Sequence, residues 1–326
     1  MRDLRISVTD RCNLRCGYCM PREVFGPDHA FLPREELLSF EEIARITSVM
    51  AGQGVLRVRL TGGEPLLRRG LERLVEMLAA IPAVEDLSLT TNGLLLERHA
   101  AALAAAGLKR ITVSLDGLDP DVLRAVTDTP IDPRQVLDGI DAAAAAGLAP
   151  VKVNMVVRKG LNDTEIVAMA ERFRGSGRVL RFIEYMDVGT TNGWRRDEVV
   201  PAAEIIERIG SRWALEPLEP THPGEVASRY RYLDGAGEIG LIHAVTAPFC
   251  HGCTRARLSA DGRLFTCLFA AEGRDLRRAL RSGADDDELA AIVGAAWSAR
   301  TDRYSAERAG LAGTVLERIE MSYIGG

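Results

Sequence analysis

Along the first two-thirds of the chain, short segments alternate apolar and polar side chains with a period of two. Leu4, Ile6 and Val8 interleave with Arg5, Ser7 and Thr9, and Leu56, Val58 and Leu60 with Arg57, Arg59 and Thr61. Leu87 and Leu89 interleave with Ser88 and Thr90, and Ile111, Val113 and Leu115 with Thr112, Ser114 and Asp116. Val151, Val153 and Met155 do so with Lys152 and Asn154. Successive strand residues point to opposite faces. The pattern predicts strands at Leu4–Thr9, Val55–Thr61, Asp86–Thr90, Ile111–Leu115, Val151–Val157 and Val179–Tyr185. Helical periods lie between them, near 39–52, 69–80, 96–106, 133–146 and 163–174. The first opens with Ser39 and has Glu42 three residues later, a capping box. Six strand–helix alternations imply parallel strands joined by right-handed crossovers. An α/β partial (β/α)6 barrel fits this through about residue 215.

Buried parallel strands normally read as near-continuous apolar runs, and complete β/α barrels fill their interior with branched aliphatics. These strands do neither. With the apolar face turned to the helices, the polar face must line a lumen that holds water or a polar ligand. Its cations would be Arg5, Arg57, Arg59 and Lys152, with Arg181 as a further one. Buried charges need partners, and Asp116 and Glu184 are candidates to pair with some of them. An excess of positive charge inside an acidic chain points to an anionic ligand, and the arginine fork suits phosphate. Internal salt bridges without a ligand are the alternative.

A second segment starts near Trp213–Pro220, where Pro217, Pro220 and Pro223 read as a linker. Antiparallel strands are expected at Arg229–Leu233 and Glu238–His243. Arg255–Ser259 and Arg263–Cys267 flank Asp261-Gly262, a hairpin signal. Helices are expected near 274–281 and 285–299. The division expected is a barrel over 1–215 and a smaller C-terminal α+β domain over 216–326.

The 326 residues, 47% hydrophobic and 27% charged, suffice for one large unit and one smaller one. No apolar run approaches the roughly 18 residues of a membrane span. Met1-Arg2-Asp3-Leu4-Arg5 lacks the apolar core of a secretory signal. A cytoplasmic protein with no membrane partner is expected. A net charge of −5 speaks against a nucleic-acid partner.

All six cysteines fall into two groups of three. Cys12, Cys16 and Cys19 form CxxxCxxC. Cys250 and Cys253 form CxxC, and thirteen residues separate them from Cys267. A structural zinc site closes with four ligands, and a cubane iron–sulfur cluster takes four thiolates, one per iron. Three thiolates leave one iron open for a cofactor or substrate, so each trio suggests a cluster with an open iron, and hence an enzyme. A zinc site completed by one of the five histidines is the alternative for the first trio. His251 is a candidate fourth ligand for the second. Disulfides are not expected, because CxxC pairs in a chain with no signal peptide read as metal or redox sites.

These motifs carry a resemblance. CxxxCxxC with Tyr18 before its last cysteine resembles the radical S-adenosylmethionine (SAM) superfamily. Phe249-Cys250-His251-Gly252-Cys253-Thr254-Arg255-Ala256-Arg257-Leu258 and the final pair Gly325-Gly326 resemble the GTP 3′,8-cyclase family within it. So do Ser7-Val8-Thr9-Asp10-Arg11-Cys12, Thr61-Gly62-Gly63-Glu64-Pro65, Thr90-Thr91-Asn92-Gly93, Val113-Ser114-Leu115-Asp116 and Arg181-Phe182-Ile183-Glu184. The likeness runs from Arg5 to Gly326. It implies a lyase that converts GTP to (8S)-3′,8-cyclo-7,8-dihydroguanosine 5′-triphosphate, the first step of molybdenum cofactor biosynthesis. In that reaction a 5′-deoxyadenosyl radical from SAM takes hydrogen from ribose C3′, and the C3′ radical attacks guanine C8.

The resemblance also implies residue roles. Cys12, Cys16 and Cys19 would hold one [4Fe–4S] cluster, with SAM on its open iron. Cys250, Cys253 and Cys267 would hold a second, whose open iron meets guanine. SAM contacts would fall on Tyr18, Gly63, Glu64, Ser114 and Met186. The glycines of Gly62-Gly63 would let the backbone approach a ligand closely. GTP contacts would fall on Arg5, Arg59, Thr90, Lys152, Arg255, Ala256 and Arg257. The Gly325-Gly326 tail would insert towards the active site. Hydrogen abstraction needs no general base, and none is nominated. The implied partners are an electron donor such as flavodoxin, a downstream cyclic pyranopterin monophosphate synthase and a second copy in a homodimer.

Thr127–Pro133, with two prolines, is a loop without a place in the family pattern, and it touches no expected ligand. Two rivals stand beside this picture. One is a radical SAM enzyme with an auxiliary cluster that modifies a peptide. Such enzymes carry more C-terminal cysteines. The other is a metal-stabilised binding module without catalysis, against which the polar lumen speaks.

Overall fold

The computed structural model describes residues 1–221, 224–248, 250–301, 304–308 and 318–325. Six strands form its centre: β1 (Asp3–Ser7), β2 (Arg57–Thr61), β3 (Asp86–Thr91), β4 (Arg110–Ser114), β5 (Val151–Val157) and β6 (Val179–Glu184). They lie side by side in chain order, each parallel to the next. Helices α1 (Phe40–Gly52), α2 (Leu71–Ala79), α3 (Leu96–Ala105), α4 (Pro120–Thr127), α5 (Pro133–Ala145) and α6 (Ile166–Phe173) connect them. Ser39 caps α1 with Glu42 in the expected box. The partial α/β barrel is therefore present.

The period-two pattern decides which face is which. Val151, Val153, Met155 and Val157 of β5 are buried, while Lys152, Asn154 and Val156 between them are half-buried. Leu4, Ile6, Val58, Leu60, Leu87, Leu89, Ile111 and Val113 join the same apolar core as residues of the surrounding helices. The polar face of each strand is left to line the interior.

The C-terminal strands extend this sheet at both edges. After α7 (Ala202–Gly210) come β7 (Leu215–Leu218), β8 (Ser228–Tyr232), β9 (Glu238–Ile242), β10 (Arg255–Leu258), β11 (Arg263–Phe265) and β12 (Arg274–Asp275). The sheet order is β12-β11-β10-β1-β2-β3-β4-β5-β6-β9-β8-β7. β10 runs parallel to β1 and β9 parallel to β6. The expected antiparallel pairs, β8 with β9 and β10 with β11, are both present. The short helix α8 (Leu276–Arg281), helix α9 (Asp286–Ser298) and the short helices α10 (Tyr304–Glu307) and α11 (Met321–Ile324) follow among the described residues.

Three elements differ from the sequence expectation. α4 and α7, eight and nine residues long, were not among the expected helices, although each buries one apolar face: Leu123 and Val126 in α4, Ile205 and Ile209 in α7. The start of α4 is also written in the chain: Asp119 caps it and Pro120 follows. The proline-rich stretch read as a linker contains β7, which tolerates Pro217 because it is an edge strand.

Candidate active site

Parallel strands put all their following loops at one end of the barrel. The Cys12–Cys19 stretch follows β1, Gly62-Gly63-Glu64 follows β2, Asn92 follows β3 and Asp116 follows β4. The second trio lies at the other end. The β1–β10 register sets Asp3 beside Arg255, so Cys253 sits beyond the N-terminal end of β1. β11 runs back antiparallel, with Phe265 opposite Arg257, and delivers Cys267 to that same end. At about 3.3 Å per residue, roughly 13 Å of β1 lies between the two ends. One cavity of about 400 Å³ is lined by all six cysteines and by the polar faces of the strands between.

The first cysteine loop is built on backbone contacts. Gly63 N–H donates to the Thr9 carbonyl at 2.7 Å, and Glu64 N–H to the Arg11 carbonyl at 2.8 Å. A Cβ on Gly63 would lie 2.2 Å from the Arg11 carbonyl oxygen. The glycines thus admit the cysteine loop on one side, while Gly62 and Gly63 still line the cavity. Glu64 is buried and accepts from Leu66 N–H at 3.0 Å, Thr91 Oγ1 at 2.7 Å and Asn92 N–H at 2.7 Å. Tyr18 donates its phenol to Asp116 Oδ2 at 2.8 Å, which ties the loop to the end of β4. The carbonyls of Val126 and Thr127 accept from Gly17 and Arg15 N–H, so the end of α4 docks the cysteine loop. The loop that had no place in the family pattern begins at this docking point.

Burial pushes the Cys12 thiol up to about 11 and Cys16 and Cys19 further still, with neighbouring acidic groups adding to it. Three adjacent thiolates are therefore stable only beside a cationic centre. Among the described residues no three His, Cys, Asp or Glu side chains converge as ligands of a single ion. A cubane instead needs thiols spread around a cavity, one per iron, and both trios line one.

The lumen cations divide into two groups. Arg57 pairs with Asp3 at 2.6 Å and Arg110 pairs with Asp86, all at the N-terminal ends of their strands. Arg5, Arg59, Lys152, Arg181 and Arg257 have no carboxylate partner among the described residues. Arg181 Nε donates to Asn154 Oδ1 at 2.9 Å, and Arg59 Nε lies 3.4 Å from Ser88 Oγ. The expected pairing of cations with Asp116 and Glu184 is not found. Asp116 is taken by Tyr18 and Val156 N–H. Glu184 is taken by the N–H groups of Ala202, Val245 and Thr246 and by the Thr246 hydroxyl. Backbone donors at the strand ends outcompete the cations because those donors have no other partner. Burial, then mutual repulsion, brings Lys152 down to about 8, Arg181 to about 9 and Arg59 to about 10. Arg5 and Arg257 move the same way. Thr90 Oγ1 is buried without a hydrogen-bond partner. The internal salt-bridge alternative therefore fails for these five cations.

At the second trio, Arg255 Nε and Nη2 each donate to Cys253 Sγ at 3.4 Å. Burial raises the Cys253 thiol, but Arg255 outweighs it and the net position is lowered to about 7. Arg300 Nη1 holds the Cys253 carbonyl at 2.6 Å, and Phe269 N–H points at Cys267 Sγ at 3.5 Å. Phe249, Gly326 and the side chain of His251 lie outside the described residues. Gly325 is described and buried. Its carbonyl lies 3.4 Å from Arg257 Nε, and a Cβ there would meet Thr61 Cγ2 at 2.1 Å. Asp187 holds the segment leading to this tail through Arg308 at 2.8 Å and Arg318 at 3.0 Å.

Of the expected contact residues, Arg5, Tyr18, Arg59, Gly63, Glu64, Thr90, Ser114, Lys152, Met186, Arg255 and Arg257 line the cavity. Ala256 does not. Its side chain is buried in the core on the opposite face of β10. Arg110 was missed, although extending the alternation of Thr112 and Ser114 by one step reaches it. Asn92, whose amide donates to Asn13 Oδ1 at 2.8 Å and lies 4.0 Å from Cys12 Sγ, was present only as part of a motif.

The Radical SAM superfamily profile matches residues 6–173, and a profile described as Molybdenum Cofactor Synthesis C matches residues 178–306. A GTP 3′,8-cyclase of Acidothermus cellulolyticus is 58% identical over 313 residues, covering 95% of this chain and 86% of the relative. Those of Staphylococcus haemolyticus and Xanthomonas axonopodis pv. citri are each 49% identical over 329 aligned residues, covering 100% of this chain and 96% of the relative. The chain belongs to the GTP 3′,8-cyclase family. Membership makes it a radical SAM enzyme of the first step of molybdenum cofactor synthesis and disfavours the peptide-modifying rival. The fold of the GTP 3′,8-cyclase family is shared more widely. SuiB of Streptococcus suis, solved bound to SAM, matches with a TM-score of 0.64 at 15% identity over 92% of this chain and 68% of that one. Among the described residues no helix is long and apolar enough to cross a membrane.

Proposed function

We propose that the chain holds GTP in the lumen between two [4Fe–4S] clusters and joins ribose C3′ to guanine C8. The observation that carries this is the set of five cations without carboxylate partners among the described residues, strung between two cysteine trios that line one cavity. Bound at Cys12, Cys16 and Cys19, the cluster and SAM would supply the hydrogen-abstracting chemistry.

Charge sorts the two ligands. The buried carboxylates Glu64 and Asp116 sit at the Cys12 end, where the sulfonium and ammonium of SAM carry positive charge. Arg5, Arg59, Lys152 and Arg257 occupy the lumen beyond, where they suit a triphosphate. Tyr18, fixed through its phenol, leaves its backbone to meet the adenine. Gly63, Ser114 and Met186 complete the SAM wall. Thr90 Oγ1 offers an unused donor and acceptor to the nucleotide. Arg255 and the Ala256 backbone approach it along β10. Cys250, Cys253 and Cys267 would hold the second cluster, whose open iron would be available to the guanine. The chain's part is to bind, orient and exclude water, and no residue is required as acid or base.

In this account residues 1–215 carry the SAM chemistry and residues 216–326 the second cluster and the Gly325-Gly326 tail. An electron donor such as flavodoxin and a downstream cyclic pyranopterin monophosphate synthase complete the picture in the cytoplasm, with a homodimer as the assembly.

The test is anaerobic. Iron and sulfide are reconstituted, and SAM, dithionite and GTP are added. Formation of both 5′-deoxyadenosine and a cyclised nucleotide, each dependent on GTP, is expected. 5′-Deoxyadenosine without any modified nucleotide would overturn the GTP assignment.

A further inference from the structure

Two arginines of β10 look equivalent in sequence, Arg255 and Arg257, but their guanidinium groups have different destinations. Arg257 is buried, lies beside Arg5 in the β1–β10 register and reaches the Gly325 carbonyl at 3.4 Å. Arg255, on the same face of β10 and lining the same cavity, presents Nε and Nη2 together to Cys253 Sγ, both at 3.4 Å. The sulfur of Cys253 therefore receives two charge-assisted donors on one side. Among the described residues no first-trio sulfur has such a charged donor: Cys12 accepts from Leu14 N–H at 3.4 Å and from the more distant Asn92 amide, and Cys16 has the neutral Tyr18 beside it.

We infer that Arg255 is a positioning residue directed at the second cluster through the sulfur of Cys253, and sets that cluster's reduction potential. This rests on the proposal that Cys250, Cys253 and Cys267 hold a cluster. Hydrogen bonds to a ligating sulfur and nearby positive charge both favour the reduced, more negative state of an iron–sulfur centre. Arg255 supplies both from one side chain. The planar fork fixes the direction of the donors, which a lysine ammonium would not reproduce.

The experiment isolates the second cluster in the full-length chain carrying Cys12→Ala, Cys16→Ala and Cys19→Ala. Its midpoint potential is followed anaerobically by EPR, and GTP binding is measured on the same preparations. Arg255→Met should move the midpoint to more negative values, with Arg255→Lys between it and the parent. Arg257→Met removes a nearby charge but no hydrogen bond to Cys253 Sγ, so it should lower the midpoint less than Arg255→Met while weakening GTP binding about tenfold or more, as loss of a charge-assisted contact does. An unchanged midpoint in Arg255→Met, with GTP binding weakened as much as in Arg257→Met, would make Arg255 a phosphate ligand and overturn the inference. If Arg255→Met takes up no iron, Arg255→Gln, which keeps a neutral donor, carries the same comparison: a lowered midpoint supports the inference and an unchanged one defeats it. Failure of the parent to bind about four irons would instead defeat the second cluster itself.

Discussion

The α-carbon of Gly63 faces the Arg11 carbonyl so closely that a side chain cannot be added: a Cβ would stand 2.2 Å from that oxygen. The contact joins the loop after β2 to the loop that carries the first cysteine trio. Gly63→Ala should push the cysteine loop off its seat, at a cost of about 1–3 kcal/mol. Iron content should drop from about eight to about four per chain, and SAM cleavage should be lost while the second site stays loaded. Full iron content in the variant would contradict the contact.

Glu64 makes folding of the metal-free chain sensitive to pH. Burial raises its carboxyl from 4.5 to about 7, against hydrogen bonds that lower it. Below pH 4.5 the group is protonated in both states, and its contribution to stability is fully present. Between 4.5 and about 7 the unfolded chain releases the proton and the folded chain keeps it, so stability falls as pH rises, by up to roughly 3 kcal/mol. Asp116, raised to about 6, acts in the same direction. Urea midpoints across this window should fall less steeply in Glu64→Gln than in the parent, and parallel curves would refute the assignment.

Lys152 should couple GTP binding to proton uptake. Burial, with Arg181, Arg110 and Arg59, depresses its ammonium to about 8. A triphosphate beside it favours the charged form, so binding raises this value and takes up a proton when the pH exceeds about 8. Affinity should fall by up to about tenfold per pH unit above that point. Calorimetry at pH 8.5 in buffers of different ionisation enthalpy should show uptake, and Lys152→Arg should reduce it, with Arg181 and Arg59, also depressed by burial, left to supply the rest. Proton release, or none exchanged, would count against a phosphate beside Lys152.

The tail and the barrel meet at Gly325 and Thr61. Gly325 has φ +74° and no space for a Cβ, which would meet Thr61 Cγ2 at 2.1 Å. Gly325→Ala should displace the tail and lower the rate of nucleotide cyclisation about tenfold or more, a loss of about 1.4 kcal/mol in barrier terms. Part of the loss should return in the double variant with Thr61→Gly, a coupling that a double-mutant cycle measures. Additive effects would show that the two residues do not act on each other.

The barrel was legible because its strands are exceptions to the usual all-apolar rule. The alternation of Arg5, Arg59 and Lys152 with aliphatics gave away both the strands and the polar lumen. The cysteine trios were legible from spacing alone. The pairing of β10 with β1 was not, because strands some 250 residues apart leave no local sign of each other. That pairing sets the second trio at the opposite end of the barrel from the first. The partners of Asp116 and Glu184 were misjudged for a related reason: charge complementarity is visible in a sequence, whereas unpaired backbone N–H groups at strand ends are not. Arg255 and Arg257 were read as a pair, and only their side-chain contacts separate them.

The central claim is that GTP lies between the two trios with its ribose towards the SAM end. The most direct measurement uses GTP deuterated at C3′ in the anaerobic reaction, with mass analysis of the 5′-deoxyadenosine formed. Transfer of one deuterium into 5′-deoxyadenosine, matched by an equal amount of cyclised nucleotide, is the predicted result. Unlabelled 5′-deoxyadenosine formed alongside intact deuterated GTP would contradict it.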